Sequence, residues 1–230
     1  MRNKSQGFTL IELLVVVAVL GVLMALVLGG VQSSRAAGRR IACESNLRQW
    51  GIAVIGYATA RNGLLPRRGQ GVQPTSKLDR PEDWFNALPP FMESLPYLQL
   101  SQLGQQPKAG GRSTWICPDA QDIGKATLFT YGMNMALSVW DAPVPDRIDR
   151  VGPTHRMVFM ADAPGPYCAT LPSTKPYSVI GRHNGAVNIV FLDGHVACFS
   201  GEYVGCGIGD PQRENICWFV PGSSWAEPSK

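Results

Sequence analysis

The longest apolar stretch of the chain runs from Phe8 to Val31, and Glu12 is the one charged residue within it. As an α-helix this stretch would measure roughly 36 Å at about 1.5 Å per residue, enough to cross a hydrocarbon core of about 30 Å. An ordinary secretory signal peptide has a shorter apolar region, of about 7–15 residues, followed by a cleavage site with small residues. No clear site of that kind follows Val31. The pattern therefore favours a membrane-spanning helix over a removable signal.

The same helix is predicted to continue to Ala60, because residues 33–60 contain no proline and carry apolar side chains at helical spacing. Asn62-Gly63 then supplies a stop signal. A helix from Phe8 to Ala60 would be about 80 Å long, with residues 8–31 in the membrane and 32–60 as its amphipathic continuation. The apolar stripe consists of Cys43, Leu47, Trp50, Val54 and Tyr57.

Beyond the helix, residues 61–112 are predicted to form a variable connector with short helices at 82–88 and 91–95. Residues 113–220 are predicted to be a β-rich head domain, and residues 221–230 a flexible tail. The expected fold class is α+β, with the long N-terminal helix packed on a C-terminal antiparallel sheet. Three segments of the head are predicted strands: 113–118, 156–162 and 186–192.

Asp193-Gly194 predicts a two-residue type I′ turn after the last of these strands. In that register Phe191 would face Val196, and Ile189 would face Cys198. One apolar face of the hairpin would then rest against the helix. Its predicted members are Val187, Ile189, Phe191, Val196 and Cys198.

The composition limits the possible partners and cofactors. The formal net charge is +4, and basic residues form only pairs such as Arg39-Arg40, so no nucleic-acid partner is indicated. The six cysteines show no C-x-x-C spacing, so a thiolate-rich zinc site is not expected, and no metal or other cofactor is predicted. An exported, oxidising setting with some disulfides fits better. We predict a Cys43–Cys117 bridge, because Cys43 lies on the stripe and Cys117 ends a strand expected to cover it.

Glu12 carries a functional hypothesis, because a carboxylate inside an apolar span is unfavourable unless it is paired. Cleavage after Gly7 would create a new α-amine on Phe8, one helical turn from Glu12. In a staggered bundle of copies, Glu12 of one subunit could pair with the Phe8 amine of its neighbour, so that only correct packing neutralises both charges. The alternative is that Glu12 reaches the nearby lipid headgroups without a partner.

The segment from Lys4 to Glu12, KSQGFTLIE, resembles the class III signal of type IV pilins and pseudopilins. That resemblance implies cleavage after Gly7 by a membrane prepilin peptidase, methylation of the new Phe8 amine, and retention of the apolar helix. It also implies a cytoplasmic N-terminus, because the peptidase acts on that side. The signal is specific but covers only about the first 25 residues.

A second resemblance covers Cys43 to Phe199. His183 is followed by nine residues and then Asp193-Gly194, which resembles the prepilin-associated domain named for its H-x9-D-G motif. The segments Cys117-Pro118-Asp119 and Tyr131–Asn134 also resemble features of that domain. The overall layout is similar to major pseudopilins of the type II secretion kind.

Catalysis is not predicted for this half of the chain, so no catalytic residue is assigned. Nine residues of strand would separate His183 from Asp193 by about 30 Å, which is too far for a dyad, and no phosphate loop or nucleophile elbow is present. Calcium binding is known for related pseudopilins. The oxygen ligands Asp162, Glu202 and Asp210 are available, but their spacing supports no such site.

The sequence thus favours a structural role: a pseudopilin in a type II secretion-like or type IV pilus-like fibre, whose N-terminal helices form the core. Expected partners are copies of itself, other pseudopilins, prepilin peptidase, an inner-membrane assembly platform and membrane lipid. The expected location is the inner membrane, single-pass, with the C-terminal domain in the periplasm. Two alternatives remain: a monomeric membrane-anchored periplasmic binding domain, and an anchored hydrolase using Asp162 with a histidine.

Overall fold

The structure is a computed structural model that describes residues 9–69, 77–108, 110–111, 113–120, 129–138 and 147–220. The predicted leader, the predicted tail and the two processing residues Gly7 and Phe8 lie outside the described residues. The chain divides into two compact units, residues 1–38 and residues 39–230.

The predicted long helix is confirmed as α1, Leu10–Ala60. It ends where the sequence indicated: Asn62 and Gly63 adopt left-handed backbone angles, with φ of 54° and 84°. The Gly63 amide donates a hydrogen bond of 2.7 Å to the carbonyl oxygen of Ala58. A left-handed glycine that returns a hydrogen bond to the last turn is a common way to end a helix.

In the first unit, the large apolar side chains of α1 are exposed in the part of the chain that the structure describes. Their exposed fractions run from 79% at Leu10 to 40% at Val31. Among the described residues, α1 is the one helix long and apolar enough to cross a membrane, a test that an N-terminal signal sequence also passes. The segment is compatible with single-pass membrane anchoring.

In the second unit, the predicted stripe of α1 is the centre of the core. Its five members, Cys43, Leu47, Trp50, Val54 and Tyr57, are all buried. The indole of Trp50 packs edge-on against Trp84 and Trp115, with ring centroids 5.1 Å and 4.9 Å apart, and its Nε1–H donates to the carbonyl oxygen of Thr114. Two of these tryptophans come from the connector and the head, so both segments are packed on one face of α1.

The connector contains two short helices, α2 (Trp84–Ala87) and α3 (Tyr97–Gln102), with a 3₁₀ turn at Pro89–Met92. The first predicted connector helix therefore corresponds to α2. The second predicted helix, at 91–95, is not found there. The two prolines that precede it begin the 3₁₀ turn, and the next helix, α3, begins only at Tyr97.

The head is built on a five-stranded sheet in the order β3-β1-β2-β4-β5. Neighbouring strands are antiparallel except for β1 and β3, which are parallel. The α+β class is confirmed, with a mixed sheet in place of the wholly antiparallel one predicted. The strands are β1 (Tyr131–Asn134), β2 (Val158–Asp162), β3 (Ala169–Thr170), β4 (Ala186–Phe191) and β5 (Val196–Ser200), and a short helix α4 (Gly201–Val204) follows.

The predicted strand at 113–118 is wrong, because residues 113–118 form turns. The segment nonetheless covers the stripe as expected. Asn46 donates side-chain hydrogen bonds to the carbonyl oxygens of Ser113 and Ile116. These carbonyls are satisfied by a helix side chain, so the segment needs no neighbouring strand.

The predicted register of the β4–β5 hairpin is wrong by one residue. Val190, and not Phe191, pairs with Val196. The Phe191 amide donates a hydrogen bond to the carbonyl oxygen of His195. The connection is thus a three-residue turn, Leu192–Gly194, with Gly194 at φ 87°, a form of hairpin that places glycine in the left-handed position.

The slip places the predicted apolar face on both sides of the sheet. Val190 and Leu192 belong to the core cluster around α1, whereas Val187, Ile189 and Phe191 pack on the opposite side with Val204 and Trp218. The β4 face that rests against the helix is therefore opposite to the predicted one, whereas Val196 of β5 packs against the cluster around α1 as predicted.

Candidate functional site

Four groups able to bind a metal or to transfer a proton meet in the core of the second unit. They are Cys43, Cys117, Asp162 and His183. Their ligand atoms all lie within 4.8 Å of one another, and all four residues are buried. Each comes from a different segment: α1, the turn segment at 113–120, the end of β2, and the loop before β4.

A tight turn positions His183. The backbone of His183 pairs with that of Ala186 in both directions, and the two residues between them, Asn184 and Gly185, have φ of 54° and 82°. This is the type I′ geometry that Asn-Gly strongly favours. A two-residue turn of the kind predicted at Asp193-Gly194 is therefore found at Asn184-Gly185. This turn directs the His183 imidazole into the core at the start of β4.

The imidazole of His183 bridges the site. Its Nδ1 lies 2.6 Å from the Oδ2 of Asp119, its Nε2 lies 3.5 Å from the Sγ of Cys117, and the same Nε2 lies 3.7 Å from the Oδ2 of Asp162. Asp119 is in turn bonded to Arg39 of α1. When Nδ1 donates its proton to Asp119, the lone pair of Nε2 points toward Cys117 and Asp162.

The remaining two groups are held from the helix side and the sheet side. The thiol of Cys43 donates to the Oδ1 of Asp162 over 3.4 Å and accepts from the hydroxyl of Tyr131 over 3.3 Å. Asp162 also accepts the backbone amide of Asn188 at 2.9 Å. Helix α1, β1, β2 and β4 are thus linked by polar contacts through one small buried volume.

Burial and mutual proximity shift the acid–base behaviour of these groups. Burial raises the pKa of Asp162 to about 7, with a further contribution from Cys117. Hydrogen bonding from Cys43 lowers the pKa of Cys117 to about 5, assisted by His183 and opposed by burial. Burial lowers the pKa of His183, but its contacts with Cys117, Asp162 and Asp119 outweigh this and raise it to about 9. Burial also raises the pKa of Cys43.

The arrangement can support three kinds of chemistry. The order Cys117–His183–Asp119 is that of a thiol nucleophile with its base and an orienting carboxylate, but the Cys117 side chain is fully buried. A disulfide would join Cys43 and Cys117, and both are free thiols in this structure, so the predicted bridge stays a prediction. The third possibility is a metal ion held by two thiolates, an imidazole and a carboxylate.

The structure explains the two ends of the H-x9-D-G motif separately. Asp193 accepts the backbone amide of His195 at 3.1 Å and lies 2.6 Å from its Nδ1, whereas His183 contacts Asp119 and Cys117. The motif therefore has no shared partner for its histidine and its aspartate among the described residues.

Glu12 forms a local contact that sequence analysis overlooked. Its Oε2 accepts both the backbone amide and the hydroxyl of Thr9, each at 2.8 Å, and the Glu12 amide donates to the Thr9 hydroxyl at 3.3 Å. This is a capping box, for which Thr-x-x-Glu is the sequence signature. Glu12 is therefore the N-terminal cap partner of α1 as well as the candidate assembly residue.

Of the oxygen ligands considered for calcium, the structure places Asp162 in the cysteine–histidine cluster. Asp210 accepts the backbone amide of Gln212, and Glu202 lies in the first turn of α4. In the part of the chain that is described, the one group of close metal-binding side chains contains neither of these two.

Asp119 and Arg39 are the site residues that sequence analysis missed. In the sequence, Asp119 is an aspartate in a loop segment and Arg39 is one of two adjacent arginines on the helix. Neither position by itself indicates a site. The signal that could have found Asp119 is its place two residues after Cys117, in the Cys-Pro-Asp segment that resembles the prepilin-associated domain.

Two protein families match the chain in adjacent segments. Residues 2–28 match the family described as the prokaryotic N-terminal methylation motif. Residues 32–121 match the family described as protein of unknown function DUF1559, a segment that contains Cys43 and Cys117. No significant match is found among curated proteins or among solved structures. The chain therefore carries a prepilin-type N-terminal methylation motif followed by a DUF1559 segment, an arrangement consistent with type IV pilin-like proteins.

Proposed function

We propose that this protein is a pseudopilin: a structural, non-enzymatic subunit that is cleaved after Gly7, methylated on Phe8 and assembled through α1 into a type II secretion-like or type IV pilus-like fibre. The observation that carries the proposal is the match of residues 2–28 to the N-terminal methylation motif. Gly7, Phe8 and Glu12 all lie within the matched segment, which supports the processing and assembly roles proposed for them.

The exposure of the first unit supports this role. Large apolar side chains from Leu10 to Val31 are 40–79% exposed. In the membrane these side chains contact lipid. In a fibre they contact the same segment of neighbouring copies, and such head-to-tail contacts between identical subunits generate open filaments. The proposed partners are copies of the chain, other pseudopilins, prepilin peptidase and an inner-membrane assembly platform, with the second unit in the periplasm.

Glu12 provides the test, because two explanations of this residue now compete. In the fibre its charge pairs with the methylated amine of Phe8 on the next subunit. As a cap it only accepts hydrogen bonds from Thr9, a role that a neutral side-chain oxygen can also fill. Glu12→Gln keeps such an oxygen and removes the charge, and Glu12→Ala removes both.

The experiment expresses the wild type, Glu12→Gln, Glu12→Ala and Thr9→Ala with the assembly machinery, and compares sheared or crosslinked fibre at equal membrane abundance. We expect fibre to fall strongly in both Glu12 variants. Thr9→Ala, which weakens the cap and keeps the charge, should assemble. Full assembly of Glu12→Gln would limit Glu12 to capping. Equal membrane abundance with no fibre from the wild type would favour the monomeric anchored binding domain.

A further inference from the structure

We infer that Cys43, Cys117, Asp162 and His183 form a closed, four-coordinate site for a zinc ion that links α1 to the head domain. The inference rests on the meeting of these four groups at one point of the core, with ligand atoms within 4.8 Å of one another. In a tetrahedral zinc site, bonds of about 2.0–2.3 Å place the ligand atoms roughly 3.3–3.8 Å apart. The Nε2 of His183 lies 3.5 Å from the Sγ of Cys117 and 3.7 Å from the Oδ2 of Asp162. The Sγ of Cys43 lies 3.4 Å from the Oδ1 of Asp162. All three separations lie in that range.

The ligand types also select the metal. Two thiolates with an imidazole suit zinc and soft metals, whereas calcium and magnesium prefer oxygen ligands alone. All four residues are buried, so no coordination position is left open to solvent. Closed four-ligand sites are the structural class of zinc site.

The surroundings of His183 fit a metal ligand. A ligating imidazole commonly donates its second N–H to a carboxylate, which fixes its tautomer. Here Nδ1 lies 2.6 Å from Asp119, leaving Nε2 for the ion. Asp119 is itself held by Arg39, so the network of polar contacts extends two residues beyond the four ligands.

Charge balance gives the cluster a reason to hold a cation. Asp162 is completely buried, and it faces two cysteines that also become negative when they lose their protons. A buried negative charge is unfavourable unless it is paired or coordinates a metal. Zn²⁺ would replace the protons of Cys43 and Cys117, which leave to solvent, while His183 binds as the neutral imidazole.

The site also gives a role to the histidine of the H-x9-D-G motif. His183 would bind the ion beside Cys43, and Gly194, at the other end of the hairpin, touches Gly51 of the same helix. Cys43 and Gly51 are about 12 Å apart along α1 at 1.5 Å per residue. The motif would thus fix both ends of one hairpin to one helix.

The test uses the full chain, purified in detergent from membranes under reducing conditions, and Zn²⁺ as the probe. Metal content is measured by elemental mass spectrometry after dialysis, and affinity by competition with a chromophoric chelator. We expect one zinc per chain. Cys117→Ser, Asp162→Asn and His183→Ala should lower the affinity by more than the roughly 10–100-fold that loss of an outer hydrogen-bond partner produces.

Two control variants match the ligand substitutions in kind. Cys206→Ser and His195→Ala change a cysteine and a histidine outside the cluster and should retain full zinc. Asp119→Asn should lower the affinity by roughly 10–100-fold, whereas Arg39→Gln, which leaves the Asp119–His183 contact in place, should lower it less. Zinc retained by all the ligand variants would overturn the proposal.

A measurement on the wild type covers the case in which the ligand variants fail to fold. Cobalt(II) in a tetrahedral site with two thiolates gives intense visible bands and a thiolate-to-metal charge-transfer band. Their absence from the cobalt-loaded chain would overturn the proposal. So would peptide mapping that finds a Cys43–Cys117 disulfide in protein alkylated at harvest, because the same sulfur atoms cannot hold the ion.

Discussion

The turn residue Gly194 lies directly against Gly51 of α1. A Cβ atom built on Gly51 would come within 3.0 Å of the Gly194 Cα and within 2.7 Å of the Val190 Cγ2. Separations below 3.0 Å are essentially never seen for real Cβ atoms. The hairpin therefore approaches the helix more closely than any residue other than glycine at position 51 would permit.

Gly51→Ala should destabilise the protein. Alanine is the better helix former by about 1 kcal/mol, but the added methyl group meets a β-branched side chain and a turn backbone that are both fixed by the sheet. Overpacking of this kind typically costs about 1–3 kcal/mol. We expect a lower free energy of unfolding, measured by denaturant titration of the full chain in detergent.

Gly38→Ala is the matched control, because it makes the same change in the same helix at a position with nothing within 4 Å. It should be neutral or stabilising by up to about 1 kcal/mol. If both variants shift stability in the same direction, the close approach of Gly51 to the hairpin is not what limits the residue there.

Asp83 should make stability fall as the pH rises. Its carboxyl is buried, and neither oxygen has a hydrogen-bond partner among the described residues. Burial raises its pKa from 3.8 to about 7. Between those values the folded state keeps a proton that the unfolded state has lost, so stability decreases from about pH 4 to about pH 7 and then stays low.

Asp83→Asn removes that titration. Above pH 7 the variant should be more stable than the wild type by about 1–3 kcal/mol, because the neutral amide carries no charge to be buried, and below about pH 4 the two should coincide. Thermal unfolding across this pH range measures the difference. Asp79→Asn, an exposed change in the same loop, should leave most of the pH dependence in place, because Asp79 contributes least to the raised pKa of Asp83. A flat difference between wild type and Asp83→Asn would contradict the account.

Sequence patterns predicted the helical part of the molecule well, because helix signals are local. The apolar run, the stripe from Cys43 to Tyr57 and the Asn62-Gly63 stop each depend on residues within one or two turns. The family resemblance of the N-terminus was equally accessible, since the signal from Lys4 to Glu12 is a contiguous segment. The capping box at Thr9 and Glu12 was also present in the sequence and was overlooked.

The hairpin register and the buried cluster were harder to predict, for different reasons. Both Asn184-Gly185 and Asp193-Gly194 satisfy the rule for tight turns, so the sequence alone does not tell which of them forms the two-residue turn. In the structure Asn184-Gly185 forms it, and Gly194 lies in a three-residue turn against Gly51. The cluster joins side chains from four segments between Cys43 and His183, so no spacing rule for metal ligands applies to it.

Processing can be tested independently of assembly. Co-expression with a prepilin peptidase should yield a mature chain that begins at the methylated Phe8, because residues 2–28 carry the methylation motif. Intact-mass analysis of the membrane fraction identifies the first residue. Gly7→Val should remain uncleaved, and Gly30→Ala, beyond the cleavage site, should be processed normally. A wild-type chain that begins after residue 25 would contradict the pilin-type interpretation.

The last prediction concerns whether the histidine and the aspartate of the H-x9-D-G motif act together. His183 contacts Asp119 at 2.6 Å, and Asp193 contacts His195 at the far end of β4. Residues without shared partners usually contribute additively within about 0.3–0.5 kcal/mol, whereas contacting residues show coupling of about 0.5–3 kcal/mol. We therefore expect double-mutant cycles to find coupling between His183 and Asp119, and additivity between His183 and Asp193.

Both cycles use alanine variants of the full chain and the free energy of unfolding, measured with a chelator present so that bound metal does not contribute. The Asp193→Ala variant should lose only the turn contacts with His195, because it shares no partner with the cluster around Cys117. Coupling of His183 with Asp193 as strong as that with Asp119 would mean that the motif is a single functional unit. In that case the separate roles assigned to its two ends, a core ligand and a close-packed turn, would be wrong.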